Sequence, residues 1–181
     1  PERVEVVPNA VPSLKSTDEA RRPSGICRIL FLGNPSRRKG VHDLINALAS
    51  EPLSGLVWEA TIAGGGNEVE VFRDQAANAG LQDRVKFPGW LDRPTTVRLL
   101  NSSDILVLPS YDEGMAMSVL EGISCGLCVI CTAVGGLVDV VEDNVSGLVV
   151  RPGDVLGLAQ VLAKSVGNPA VVFFGHVEIG I

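Results

Sequence analysis

D-I-L-V-L-P-S-Y-D-E-G-M-A-M-S-V-L-E-G-I-S-C-G-L-C-V-I-C-T spans residues 104–132, and the fold is read outward from it. In the segment 104–108 every residue after Asp104 is apolar, the mark of a strand buried on both faces. Helical patterning follows at 115–125, and a second apolar run at 128–132. The same order repeats on either side. Further strands are predicted at 3–7, 27–32, 57–63, 84–87 and 147–150, and helices at 39–50, 67–79, 93–102, 137–142 and 154–164. Strict alternation of strand and helix predicts an α/β fold, a Rossmann-like doubly wound parallel sheet in a single domain. In such a sheet ligands sit outside the carboxyl ends of the strands, at a topological switch point. The loops to search are therefore 33–38, 64–66, 109–114 and 133–136.

Composition narrows the partner. A chain of 181 residues, 46% hydrophobic, suffices for one well-packed core and is too short for two full α/β domains. Fifteen basic against 21 acidic residues leave a net charge of −6, which argues against a surface made for nucleic acid or anionic lipid. At 4% aromatic content there is little from which to build a stacking platform. A small molecule is the expected partner. No apolar run reaches the roughly 18 to 20 residues needed to cross a bilayer, and the opening P-E-R-V-E-V-V has no secretory pattern. A cytoplasmic protein is expected. A start without Met reads as a fragment, which leaves room for a preceding targeting segment.

Cys125, Cys128 and Cys131 form a C-x2-C-x2-C run, a spacing shared with iron–sulfur ligation. Here the run straddles a helix end and a strand, and Cys128 and Cys131, three apart on the strand, face opposite sides of the sheet. They read as small buried hydrophobes.

The chemistry concentrates in residues 109–121. A loop that leaves a buried strand and opens a helix presents unpartnered backbone N–H groups near Gly114, Met115, Ala116 and Met117, a site suited to a pyrophosphate. Glu113, in the same place, suits hydroxyl donors such as those of a sugar. Glu121, two turns on, offers both carboxylate oxygens to a vicinal diol such as a ribose. The plainer reading makes Glu113 a partner of the helix dipole and Glu121 a solvated helix residue, but the apolar neighbours Leu120, Gly122 and Ile123 argue against it for Glu121.

E-G-M-A-M-S-V-L-E at 113–121 fits the E-x7-E pattern, and the chain resembles the retaining glycosyltransferases of the GT-B fold, group 1 family (glycosyltransferase family 4). The resemblance runs from about Val4 to Lys164. It includes V-V-P-N-A-V, G-N-P-S-R-R-K-G at 33–40, I-A-G-G-G at 62–66, R-V-K-F-P-G-W at 84–90, D-I-L-V-L-P-S at 104–110, C-G-L-C-V-I-C-T-A-V-G-G at 125–136 and S-G-L-V-V-R-P-G-D at 146–154. It implies the C-terminal half of a GT-B enzyme that transfers a sugar from a nucleoside diphosphate sugar, with neither cofactor nor metal required. Residues 1–23 would be the interdomain crossing strand and linker, 24–167 the nucleotide-sugar-binding domain, and 168–181 a tail of unassigned structure. An N-terminal domain outside this chain would bind the acceptor, and the full-length protein could sit peripherally at the inner face of a membrane.

By the same resemblance Glu113 would bind the donor sugar, Glu121 the ribose, and the amides of Met115, Ala116 and Met117 the pyrophosphate. Lys39 would hold a phosphate oxygen and stabilise the leaving diphosphate, and the base would rest near Phe87, Trp90 and Leu91. The chain departs from the family where Asn34 replaces an arginine after the first glycine of the phosphate loop, leaving Arg37 or Arg38 to reach that phosphate. Met115 stands for the usual aromatic, Ser118 for a proline, and Val138 and Asp139 for proline and glutamate.

Three other functions compete with this one. A nicotinamide-dependent dehydrogenase wants G-x-G-x-x-G after the first strand, which G-N-P-S does not supply. A metal-dependent transferase of the GT-A kind needs paired acids such as D-x-D, absent from the chain. A nucleotide-binding module without transfer would keep the fold and the pocket. His42, placed on an exposed first helical turn, and His176 have no partner at motif spacing and take no role.

Overall fold

The computed structural model describes residues 25–167 together with Val11, Pro12 and Leu14. The expected strand at 3–7, most of the linker and the tail at 168–181, His176 included, lie outside the described residues. Six strands form one sheet: β1 (Cys27–Leu32), β2 (Trp58–Ala63), β3 (Val85–Gly89), β4 (Ile105–Leu108), β5 (Cys128–Thr132) and β6 (Leu148–Val150). Their order across the sheet is β3-β2-β1-β4-β5-β6, with every pair parallel. The chain moves outward from β1 to β3, then restarts at β4 on the other side of β1, which pairs Ile29 with Ile105 and Leu30 with Leu106. The β1/β4 boundary is thus the switch point where such sheets open a crevice.

The helices are α1 (Val41–Leu48), α2 (Val69–Asn78), α3 (Arg93–Ser102), α4 (Met117–Ser124) and α5 (Val155–Gly167). Right-handed crossovers running in opposite directions from the switch point place α1 and α2 on one face of the sheet and α4 on the other. Every residue of β4 and β5 is buried, as continuous apolar runs covered on both sides require. On α4, Gly122 lies so close to β4 that a β-carbon there would stand 2.7 Å from Leu106 Cδ2. Trp58, the first residue of β2, is buried, its Nε1 donating to the Leu53 carbonyl at 3.3 Å, with the Arg84 guanidinium 3.6 Å from its ring. The Leu14 carbonyl accepts from Asn101 Nδ2 at 2.9 Å, tying part of the preceding segment to α3.

Several boundaries differ from expectation. Residues 137–142 do not form an α-helix; a single 3-10 turn, Gly135–Asp139, replaces it. The Gly136 N–H is committed to the Gly114 carbonyl at 2.7 Å, which holds the segment against the neighbouring loop rather than letting it wind. The α4 helix begins at Met117, not 115, because Ala116 is extended at φ −82°, ψ 99°. Likewise α1 begins at Val41 rather than Lys39, since Gly40 sits in the left-handed region at φ 69°. A 3-10 turn at Glu51–Leu53, opened by Pro52, has no counterpart in the expected pattern.

The thiols behave as buried apolar groups. Burial pushes Cys27 and Cys131 up to about 12 and Cys128 up to about 11, and none of the four cysteines is in a disulfide.

Gly40 does more than start α1. A β-carbon at that position would lie 2.0 Å from the Pro109 carbonyl oxygen, so the loops after β1 and β4 touch backbone to backbone there. Gly40→Ala must meet both the clash and the left-handed strain, and is expected to cost at least about 2 kcal/mol of stability. Urea denaturation with an unchanged slope would register it as a lower midpoint.

Candidate functional site

The loop after β1 is wound tightly. Lys39 N–H donates to the Ser36 carbonyl at 3.1 Å and Gly40 N–H to the Arg37 carbonyl at 2.9 Å. The loop after β4 then docks on it: Tyr111 N–H donates to the Arg38 carbonyl at 2.8 Å, and Arg38 Nη1 to the Asp112 carbonyl at 2.9 Å. This docking brings Lys39 and Glu113, 74 residues apart, into an ion pair between Nζ and Oε1.

Glu113 is only 6% exposed, so its charge has to be met by protein groups. Oε1 accepts from Lys39 and also from Ser110 Oγ at 2.7 Å. Ser110 is itself fixed, its carbonyl accepting from Thr132 Oγ1 at 2.5 Å. A third loop closes on the carboxylate's own backbone: Gly135, at φ 52°, stands where a β-carbon would be 1.6 Å from the Glu113 carbonyl oxygen. Among the described residues Oε2 has no partner.

Glu121 is held separately. Its Oε1 pairs with Arg93 Nη1, from the first residue of α3, and its side chain is 12% exposed. Ala116 is the residue before α4, so the N–H groups left over at that helix start are those of Met117 and Ser118 rather than those of Met115–Met117.

These parts share one cavity of about 440 Å³ at the switch point, a size suited to a small-molecule ligand. Of the residues singled out in the sequence, Asn34, Lys39, Trp90, Leu91, Glu113, Met115, Ala116, Met117 and Glu121 line it. Arg37, Arg38, Phe87 and Gly114 do not. Arg38 is drawn to Asp112, and Phe87 lies under the Arg73 guanidinium at 5.3 Å. Gly33 and Gly64 fall in the loops that sequence reading marked for search, whereas Thr96, Ser118 and the apolar strand ends at Leu32 and Ala63 were not expected as part of the wall. Sequence reading missed the Lys39–Glu113 and Glu121–Arg93 pairings as well, because each joins elements far apart in the chain. Trp90, 73% exposed, stands over Gly65 at the mouth.

His42 is half-buried on the first turn of α1 rather than exposed. Its ring stacks on Tyr111 with centroids 5.9 Å apart, and its Nε2 lies 3.3 Å from Asp43 Oδ1. Asp43 also accepts from the Tyr111 hydroxyl at 2.8 Å, which pushes the Tyr111 pKa up. This cluster braces the β4 loop from outside the cavity. Among the described residues no cluster of three or more metal-ligating side chains occurs, and no helix is long and apolar enough to cross a membrane.

The sequence profile of the glycosyl transferases group 1 family matches residues 16–170. The chain belongs to that family. Among curated relatives of this group 1 glycosyltransferase, glycogen synthase of Mycobacterium tuberculosis is 32% identical over 168 residues, covering 92% of this chain and 41% of the relative. The 2-deoxystreptamine glucosyltransferase of Streptomyces kanamyceticus is 30% identical over 172 residues, covering 95% and 44%. The group 1 chain therefore spans about two fifths of the length of the curated relatives it matches.

Solved structures agree on the architecture. The group 1 chain is similar to Anabaena Alr3699/HepE in complex with UDP and glucose, with a TM-score of 0.74, 25% identity and coverage of 82% of this chain and 41% of the other. The C-terminal domain of LpcC, a group 1 glycosyl transferase from Francisella tularensis, gives a TM-score of 0.73 at 22% identity, covering 80% and 77%. The sheet is thus the Rossmann-like α/β fold of GT-B C-terminal domains.

A buried pair is revealed by removing one partner at a time. Lys39→Met leaves a buried carboxylate uncompensated and is expected to cost about 3 kcal/mol, whereas adding Glu113→Gln in the same chain should recover most of that loss. Urea denaturation of the two single variants and the double variant gives the coupling directly.

Proposed function

We propose that this chain is the donor-binding half of a retaining glycosyltransferase, acting on a nucleoside diphosphate sugar. The observation that carries the reading is the shared cavity. Lys39 and Glu113 meet beside the α4 N-terminus, with Glu121 about one turn into that helix. A diphosphate placed there would meet the Met117 and Ser118 N–H groups at the positive end of the helix and the Lys39 ammonium. Sugar hydroxyls would donate to Glu113, whose Oε2 is open, and ribose hydroxyls to Glu121. UDP and glucose bound in the HepE structure support the same class of donor.

In the reaction we infer, the bond between the anomeric carbon and the diphosphate oxygen breaks, and its electron pair leaves with the diphosphate. The acceptor oxygen bonds to the same face of that carbon, and its proton passes to the departing diphosphate. Lys39 stabilises the charge that develops on the leaving group. Binding by Lys39 requires its ammonium to turn from Glu113 toward the phosphate, or to serve both. A second cation near the diphosphate would have to come from Arg37 or Arg38, which lie outside the cavity, or from a neighbouring domain. Asn34 supplies none. No metal or cofactor enters this scheme.

The proposal divides the donor between the two glutamates. Calorimetric titration should show Glu121→Ala weakening both the free nucleoside diphosphate and the nucleotide sugar by about 1.5 to 3 kcal/mol. Glu113→Ala should weaken the sugar-bearing ligand alone. A panel of uridine, guanosine and adenosine diphosphates in the same cell identifies the base, and a nicotinamide cofactor serves as the negative control.

The acceptor is assigned to a second domain, since a GT-B cleft closes between two domains to orient the acceptor hydroxyl and exclude water. The 181-residue chain is accordingly expected to bind donor saturably, to transfer no sugar, and to hydrolyse the donor only in traces. Product formation by this chain alone, followed by chromatography, would mean that the acceptor site lies within the donor fold.

A further inference from the structure

Arg93 is not among the residues that line the cavity, yet it holds one that does. The residue sits at the first position of α3, a helix with no acidic side chain in its first turn. A cation there is opposed by the positive end of the helix dipole. Its placement is nonetheless well defined. Asp92 caps the helix, with Oδ1 accepting from Thr95 N–H at 2.9 Å and its carbonyl from Thr96 Oγ1 at 2.9 Å, while Pro94 follows directly. From this fixed point the guanidinium reaches Glu121 on α4.

An ordinary surface ion pair would deserve little weight. This one differs in the exposure of its two ends. The Arg93 side chain is 52% exposed, but that of Glu121 is 12% exposed, facing a cavity rather than open solvent. Oε1 is taken by Arg93, and among the described residues Oε2 has no partner. The carboxylate is therefore anchored through one oxygen with the other open, the arrangement a group needs if it is to accept from a hydroxyl in a set direction. Lys39 and Glu113 balance each other deeper in the same cavity, so Arg93 also offsets Glu121, the other acidic side chain among the described residues that line it.

We propose that Arg93 is a positioning residue for ribose recognition: it fixes the Glu121 carboxylate so that the cavity distinguishes a ribonucleoside diphosphate from its dideoxy analogue. The proposal rests on the donor-site reading given above. It extends that reading to a residue outside the cavity wall and to a selectivity that Glu121 alone would not secure.

The test compares two ligands that differ only in the ribose hydroxyls, so that any general change in diphosphate attraction cancels in the ratio. The probes are whichever of uridine, guanosine or adenosine diphosphate binds most tightly and its 2′,3′-dideoxy form, titrated into the 181-residue chain by calorimetry. The parent protein should prefer the ribose form by about tenfold, the span of a charged hydrogen bond. In Arg93→Ala the preference should fall below about threefold, with a melting temperature close to the parent's showing that the fold is kept. Arg93→Lys should restore part of it, whereas Arg93→Gln, which keeps a polar N–H donor without charge, should not. Should Arg93→Ala keep the tenfold preference while Glu121→Ala loses it, the positioning role is overturned and the donor site stands. Tighter binding of the ribose form to Arg93→Ala would overturn it too, because Arg93 would then compete with the ribose rather than orient its acceptor. If the parent shows no preference, or Glu121→Ala leaves the preference intact, the donor-site reading fails together with this one.

Discussion

The site depends on keeping one carboxylate charged inside a protein. Glu113 is almost fully buried, and an ion of that size removed from water without partners would cost several kcal/mol. Lys39, Ser110 and the loops around them exist in their observed shapes to meet that demand. The demand explains the close backbone approaches at Gly40 and Gly135, where any side chain would force apart the loops after β1, β4 and β5. It also explains why the pair forms at the β1/β4 boundary. Only there do two neighbouring strands send their chains to opposite faces, leaving a crevice into which both loops can lean.

Charge in the cavity is thereby arranged as two separate pairs, one deep and one at the rim. The Lys39–Glu113 pair is enclosed and shares an oxygen with Ser110. The Arg93–Glu121 pair joins the start of α3 to the middle of α4, two helices that otherwise belong to different strand crossovers. A ligand entering with its own negative charge meets a cavity that is balanced rather than acidic, although the chain as a whole carries −6. Net charge and local charge are different quantities, and only the second bears on this ligand.

Most of the architecture was legible because burial on both faces leaves a plain signature. The run at β4 is apolar throughout, those at β1 and β5 are apolar but for Arg28 and Thr132, and each was placed to within a residue. What was not legible had one of two physical causes. Helix starts moved by two residues where a single backbone angle, at Gly40 or Ala116, overrode the side-chain pattern. The stretch near Leu137 kept the apolar spacing of a helix but was held to a 3-10 turn by a hydrogen bond to Gly114, a tertiary contact that local sequence does not encode. In the site, Lys39, Glu113 and Glu121 stood out by residue type and position, and the cavity gathers all three. Their partners did not stand out. Arg93 looks like any surface arginine until α3 is set beside α4.

The two tryptophans have been placed by different forces, and together they make the chain its own spectroscopic instrument. Trp58 lies in the core beneath an arginine, while Trp90 is largely open at the mouth of the cavity above Gly65. With only these two indoles in the sequence, emission divides into a shielded component that changes when the core comes apart and an exposed one that changes when the cavity fills. Occupancy of the site and integrity of the fold become two wavelengths of one measurement, without a label added to either.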